Sequence, residues 1–425
     1  MAETKPDGGP VAALRRKGRP AFVAGLIVAL AALLGCRSSP APGGVIYGYV
    51  GIDGDQAGSS RASQGVRRQI ARLKEGFRRL HPGTELQLVF FPEDSLAEEL
   101  VRRERSGLGP DLVLSNGNTA RNLAEHGLTR TVRMPHEVLR RLSPSMLEGL
   151  RSTDGSLTAL PVVMEPQLAC FNRSRLPAPP RSTEELLALS AQRLQVGLAI
   201  EPMSLFWSSG SLGASEALAA AAAGAPLSAA QRQAVVGWMG WLLNASLQQR
   251  ISFYANQEQL KQELQAGRAD WIPCRSSDLQ DLRASLGNRL GVAVLPDGPQ
   301  HPASPINRLK VWSFGRNSSP RQRVTAEAFA SYSINPLVQR NITVGTQATL
   351  PVNRFVQVPV QSSAVLQVLV AAAEQAGRND SIASLVRGRS SILERARDTL
   401  SQLVFGELTP ERAASQLIVI LEGGR

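Results

Sequence analysis

Cysteine and histidine are scarce in this 425-residue chain: Cys36, Cys170 and Cys274, with His81, His126, His136 and His301 each alone in its neighbourhood. Three thiols exclude a disulfide scaffold and a four-cysteine zinc site, and isolated histidines offer no metal-binding pair. No metal and no cofactor is therefore expected. Gly-x-Ser-x-Gly elbows and Gly-rich phosphate loops are missing too, which removes the commonest hydrolase and nucleotide-binding signatures. There is no internal repeat and no low-complexity tract. The longest uncharged apolar run, Ala21 to Leu34, spans about 21 Å as a helix, short of the ~30 Å bilayer core.

What the chain has in excess is positive charge. Its formal net charge is +12, of which residues 1–35 carry +3 through Lys5, Arg15, Arg16, Lys17 and Arg19 against Glu3 and Asp7, leaving +9 for the rest. The densest basic cluster, Arg67, Arg68, Arg72, Lys74, Arg78 and Arg79, alternates with Ile70, Leu73, Phe77 and Leu80 at helical spacing. That pattern is the solvated face of an amphipathic helix rather than a phosphate-binding patch, so no nucleic-acid partner is expected.

The N-terminus reads as an address. A basic segment precedes the 21–34 run, which has the length of a secretory h-region. The run ends Leu33-Leu34-Gly35-Cys36, followed by Arg37-Ser38-Ser39-Pro40-Ala41-Pro42-Gly43-Gly44. This resembles a bacterial lipobox, which implies a signal peptide over 1–35, lipidation of Cys36, and a flexible tether over 36–44. The expected location is the periplasmic or extracytoplasmic face of a bacterial membrane. Outside the cytoplasm Cys170 and Cys274 are free to pair, but two unpaired buried thiols are the simpler expectation.

Beyond Gly44, strand and helix alternate. Val45–Val50 reads as a strand, 64–80 as a helix closed by His81-Pro82-Gly83, and Glu85–Phe91 as an alternating strand. A helix over 94–105, a buried strand over 111–114 and a helix over 118–126 follow. Further strands are expected near 162–171, 196–200, 269–273 and 291–295, with helices over 214–223 and 228–248 and a helical C-terminus. This is an α/β chain with parallel sheets.

Several local patterns then fall in one order: Gly109-Pro110-Asp111-Leu112-Val113, Gly155-Ser156-Leu157-Thr158-Ala159-Leu160-Pro161, Phe171-Asn172, Pro179-Pro180-Arg181-Ser182-Thr183-Glu184-Glu185-Leu186, Gly267-Arg268-Ala269, Gly291-Val292-Ala293-Val294-Leu295-Pro296 and Leu408-Thr409-Pro410-Glu411. Together, over about residues 45–425, they resemble the extracellular solute-binding proteins of ABC importers, of the maltose-binding-like sugar type. The resemblance implies a type II periplasmic-binding-protein fold. Two hinged α/β lobes would hold 45–160 plus 302–345 and 161–301 plus 346–425, with the ligand between them. It also implies a monomer whose partners are a small solute and the transmembrane subunits of a permease.

Candidate ligand-binding residues follow from the loops after strands. Asp53 and Asp55 can accept hydroxyl hydrogen bonds or form an Asp-Gly turn. Asn116 and Asn118 offer uncharged amides, although Asn118 also suits a helix cap. Glu165, an acid inside an apolar crossing segment, matches a ligand-contacting position. Glu201 precedes Trp207, a candidate stacking platform or a core residue. Arg275, Ser276 and Ser277 replace the aromatic strand end expected of the family, which turns the expectation from maltodextrin toward a smaller polyol or an acidic ligand. Trp312 supplies a further aromatic.

Two rival readings remain at this level: a receptor for a polyamine or anionic metabolite on the same fold, and an exported glycoside hydrolase using Glu165 and Glu201. Scattered tyrosines (Tyr47, Tyr49, Tyr254 and Tyr332) argue against a ferric-ion receptor. No catalytic residue is otherwise indicated.

Overall fold

The computed structural model describes residues 1–2, 42–52, 61–152, 154–376 and 390–423. Asp53, Asp55, Cys36 and all but the first two residues of the segment expected to be a signal peptide lie outside the described residues.

Strands β1 (Gly44–Ile52), β2 (Thr84–Pro92), β3 (Leu112–Asn116), β4 (Thr129–Arg130) and β5 (Leu160–Glu165) occupy the first part of the chain. There follow β6 (Gln167–Asn172), β7 (Val196–Ala199), β8 (Ile251–Tyr254), β9 (Trp271–Arg275), β10 (Leu290–Ala293), β11 (Arg308–Gly315) and β12 (Leu350–Pro351). They make two sheets, ordered β12-β5-β11-β3-β1-β2 with β4 on β11, and β10-β6-β9-β7-β8. β1 is parallel to β2 and β3, and β7 is parallel to β8 and β9. These parallel strands are covered by helices on both faces, which is why Leu112-Val113-Leu114 and Val196-Gly197-Leu198-Ala199 are apolar without alternation. Each sheet has its own core. Phe77, Trp312, Phe314 and Phe329 fill the first; Trp207, Trp238, Trp241 and Trp271 fill the second with the C-terminal helices.

The segment expected as one strand near 162–171 is two strands in different sheets. Pro166, which has no N–H to donate, lies between them: β5 ends at Glu165 in the first sheet and β6 starts at Gln167 in the second. The chain returns through residues 294–307 into β11, and leaves again after β12 toward the helix Ala364–Ala376. Both β5 and β12, expected in the second lobe, pair within the first sheet. The crossings are laced together by two buried glutamines. Gln167 Nε2 donates to Ser204 O at 2.9 Å while its Oε1 accepts from Ile306 N at 3.4 Å. Gln339 Nε2 donates to Val162 O, and its Oε1 accepts from Val352 N, both at 2.8 Å.

The two cysteines expected to be separate thiols form a disulfide, Cys170–Cys274, with Cα atoms 5.7 Å apart. The reason is register. β6 and β9 are antiparallel neighbours with Cys170 opposite Ile272 and Leu168 opposite Cys274, so both cysteines point to the same face on a diagonal. Sequence separation, 104 residues, concealed that proximity.

Candidate functional site

Where the crossings pass between the sheets lies a cavity of about 440 Å³, within the range of small-molecule sites. Its walls come from the ends of strands and the starts of helices in both lobes. From the first sheet come Asn116, Gly117 and Asn118 after β3, Glu165 at the end of β5, and Arg308 and Leu309 at the start of β11. The second sheet contributes Gln167, Glu201 to Ser204, Gln257 and Arg275, and the helix Ser390–Val404 adds Leu393, Glu394 and Arg397.

The polar groups on the floor are held by one another. Glu201 opens the helix Pro202–Ser211, and its Oε2 accepts from Ser204 Oγ at 3.0 Å and from Gln257 N at 3.3 Å. The same oxygen lies 3.6 Å from Arg275 Nη2. Arg275 sits opposite Gln167 across the β6–β9 ladder, and its backbone N–H donates to Asp278 Oδ2 at 3.1 Å. Enclosure pushes the Asp278 carboxyl above its ordinary range. Nearby, burial works against the charge of Lys261, but the carboxylates of Asp278, Glu258 and Asp281 outweigh it and hold the ammonium above its usual value. On the other lobe, Arg308 stands directly opposite the buried Glu165 across the β5–β11 pair. Glu93 Oε1 accepts from Asn116 N at 2.7 Å, and its Oε2 meets Lys310 Nζ at 3.2 Å. Gly51 lies close beside that contact: a Cβ there would fall 2.3 Å from Glu93 Oε2, and the Glu93 carboxylate would have to move.

Of the residues singled out from sequence, Asn116, Asn118, Glu165, Glu201 and Arg275 come together in the cavity. Asn116, not Asn118, caps the helix Gly117–Glu125, its Oδ1 accepting from Thr119 N at 2.9 Å. Trp207 is not at the site. It is fully buried, 6.2 Å from the Trp241 ring and 6.1 Å from that of Trp271, because the helix Pro202–Ser211 turns nearly its whole circumference into the core. Trp312 also lies outside the cavity, packed on Phe329 at 5.6 Å and bordering a smaller void of about 110 Å³ that meets the cavity at Glu165. Ser276 is buried with its N–H on Pro166 O at 3.0 Å, and Ser277 borders the smaller void. Asp94, Gln167, Ser204, Gln257, Asn307, Arg308, Glu394 and Arg397 line the cavity without having been singled out. Gln167 had a signal, its place two residues after Glu165; Arg308 and Arg397 arrive only through tertiary pairing. Among the described residues no group of His, Cys, Asp or Glu could hold a metal ion, and no helix is long and apolar enough to cross a membrane.

Two hinged α/β lobes with a polar cavity at their crossings define a solute-binding protein of the periplasmic type. The chain belongs to the bacterial extracellular solute-binding protein family, whose model matches residues 73–366. Comparison with curated protein sequences found no match. Among solved structures, the GacH receptor of Streptomyces glaucescens, determined unliganded and with acarbose and an acarbose homolog, matches with TM-score 0.71 at 16% identity. That match covers 89% of this chain and 97% of the receptor. The maltose/maltodextrin-binding domain MalE of Bdellovibrio bacteriovorus, bound to maltotriose, matches with TM-score 0.66 at 16% identity over 89% and 99% of the two chains. An ABC transporter solute-binding protein of Thermotoga lettingae bound with α-D-tagatose matches with TM-score 0.67 at 15% identity over 89% and 99%. At these identities the likeness is one of fold.

Proposed function

We propose that this chain is the receptor of an ABC importer: it captures a small solute of the sugar type in the cleft between its lobes and presents it to a membrane permease. The observation that carries this reading is the convergence of Glu165, Glu201, Arg275 and Arg308 on one cavity at the crossings. Carboxylates and guanidiniums there supply the acceptors and donors that hydroxyl groups need. A ligand touching both lobes stabilises the closed arrangement by its differential affinity for it, and the permease reads closure as occupancy. The sugar-bound relatives support the ligand class, and the lipobox at Cys36 supports attachment to the outer face of a membrane near the permease. The chain acts as a binder; Glu165 and Glu201 serve hydroxyl recognition, not glycoside cleavage.

A thermal-shift screen of the full chain against sugars, polyols, sugar phosphates, polyamines and amino acids tests this. A ligand at about 100 times its Kd adds about 2.7 kcal/mol, a rise of several degrees. Hits confined to polyamines or amino acids would replace the solute class, and hydrolysis of a chromogenic glycoside would replace the binder with an enzyme.

A further inference from the structure

Sugar receptors can hold a ring by laying its C–H face on an aromatic side chain or by gripping its hydroxyl edge with paired ions. Among the described residues, the lining of the cavity is equipped for the second. All five tryptophans are 8% exposed or less, and none borders the cavity. None of the described lining residues is aromatic. The apolar part of the wall is aliphatic: Leu150, Met203, Leu309 and Leu393.

The charges, by contrast, are nearly balanced among the described lining residues. Arg275 pairs with Glu201, and Arg308 lies opposite Glu165 in the β5–β11 register. With Asp94, Glu394 and Arg397, the described lining carries four carboxylates and three guanidiniums. Over the described lining this net charge of −1 lacks the cationic surplus that a phosphorylated solute calls for and leaves a single spare carboxylate, too few for a polyamine. Paired ions instead present acceptors and donors side by side, the complement of vicinal hydroxyls, at no cost in net charge.

Resting on the sugar-receptor reading above, we infer that the ligand is a small, uncharged, highly hydroxylated molecule, a mono- or disaccharide or a polyol, held by ion-pair edges and not by ring stacking. A maltodextrin gains from each added ring only if a platform awaits it, and a cavity of about 440 Å³ without aromatics provides none.

Isothermal titration of the full chain decides this, with neutral hexoses, pentoses, hexitols and disaccharides set against maltotriose, maltotetraose, glucose 6-phosphate and galacturonate. The expected result is a 1:1 neutral ligand of one or two rings (or an open-chain polyol). Maltotetraose and the anionic sugars should bind at least about tenfold more weakly, and Arg275→Gln should weaken the neutral ligand about 10- to 100-fold. Affinity that rises with maltodextrin length, or a preferred phosphorylated or acidic sugar, would overturn the inference while leaving the sugar-receptor reading intact. Binding by no sugar of any class would overturn both.

Discussion

Glu201 and Arg275, whose Oε2 and Nη2 atoms lie 3.6 Å apart, join the start of one helix to the end of β9 across the floor of the cleft. Both side chains keep partial exposure, 32% and 21%, so the pair contributes about 1 kcal/mol or less to folding. Its value lies in what it offers a ligand. Single Glu201→Gln and Arg275→Gln variants should unfold within a few degrees of the parent. Each should lose about 10- to 100-fold in affinity for the cognate sugar, and the double variant should lose less than the sum of the two. Calorimetric titration through the cycle checks this.

The Cys170–Cys274 disulfide closes a loop of 104 residues within the second lobe. Replacing both cysteines by alanine should cost about 2–4 kcal/mol, seen as a midpoint lowered by roughly 5–10 °C. Free-thiol titration of the unreduced parent under denaturing conditions should find neither cysteine reactive.

Lys261 sits among Glu258, Asp278 and Asp281, with its Nζ 2.8 Å from Glu258 and 3.3 Å from Asp281. Its ammonium is held above the ordinary value of 10.5. A raised folded-state value means the contribution is complete below the unfolded value and lost as pH climbs through the folded one. Stability should therefore fall on the alkaline side of about 10.5 more steeply in the parent than in Lys261→Met. That variant should itself be destabilised by about 3–5 kcal/mol at neutral pH, because its carboxylates are left without their cation. Denaturant melts at several pH values measure both.

Because the tryptophans are buried away from the cleft, emission should be blue-shifted and poorly quenched by acrylamide. Saturating sugar should leave it nearly unchanged. Strong contact quenching on binding would place a tryptophan against the ligand and contradict the aliphatic wall.

Much of this was legible in the residues. The alternation of elements announced an α/β chain and its parallel strands, and the ordered motifs announced the family; the antiparallel strands β5, β6, β10, β11 and β12, which make both sheets mixed, were not announced. Glu165 stood out as an acid in an apolar segment, Glu201 as an acid between a strand and the helix of Trp207, and Arg275 as a guanidinium where the family carries an aromatic. What was not legible depended on three-dimensional register. Trp207 suits a stacking platform by its place after a strand, yet the small side chains around it in Ser204–Ser211 let the helix sink wholly into the core. Arg308 reaches the site because β11 returns antiparallel beside β5, a pairing across 143 residues with no local signature. The disulfide was hidden for the same reason: only the β6–β9 register brings Cys170 and Cys274 to one face.

The most direct test of the central claim is calorimetric titration of the best-bound neutral sugar into the full chain and into Glu165→Gln, the residue that ends β5 where the chain crosses between sheets. The cleft account predicts one site per chain, and a Kd about 10- to 100-fold higher in the variant, measured at a temperature where its thermal melt shows it folded. Undiminished affinity in Glu165→Gln would place the ligand elsewhere and contradict it.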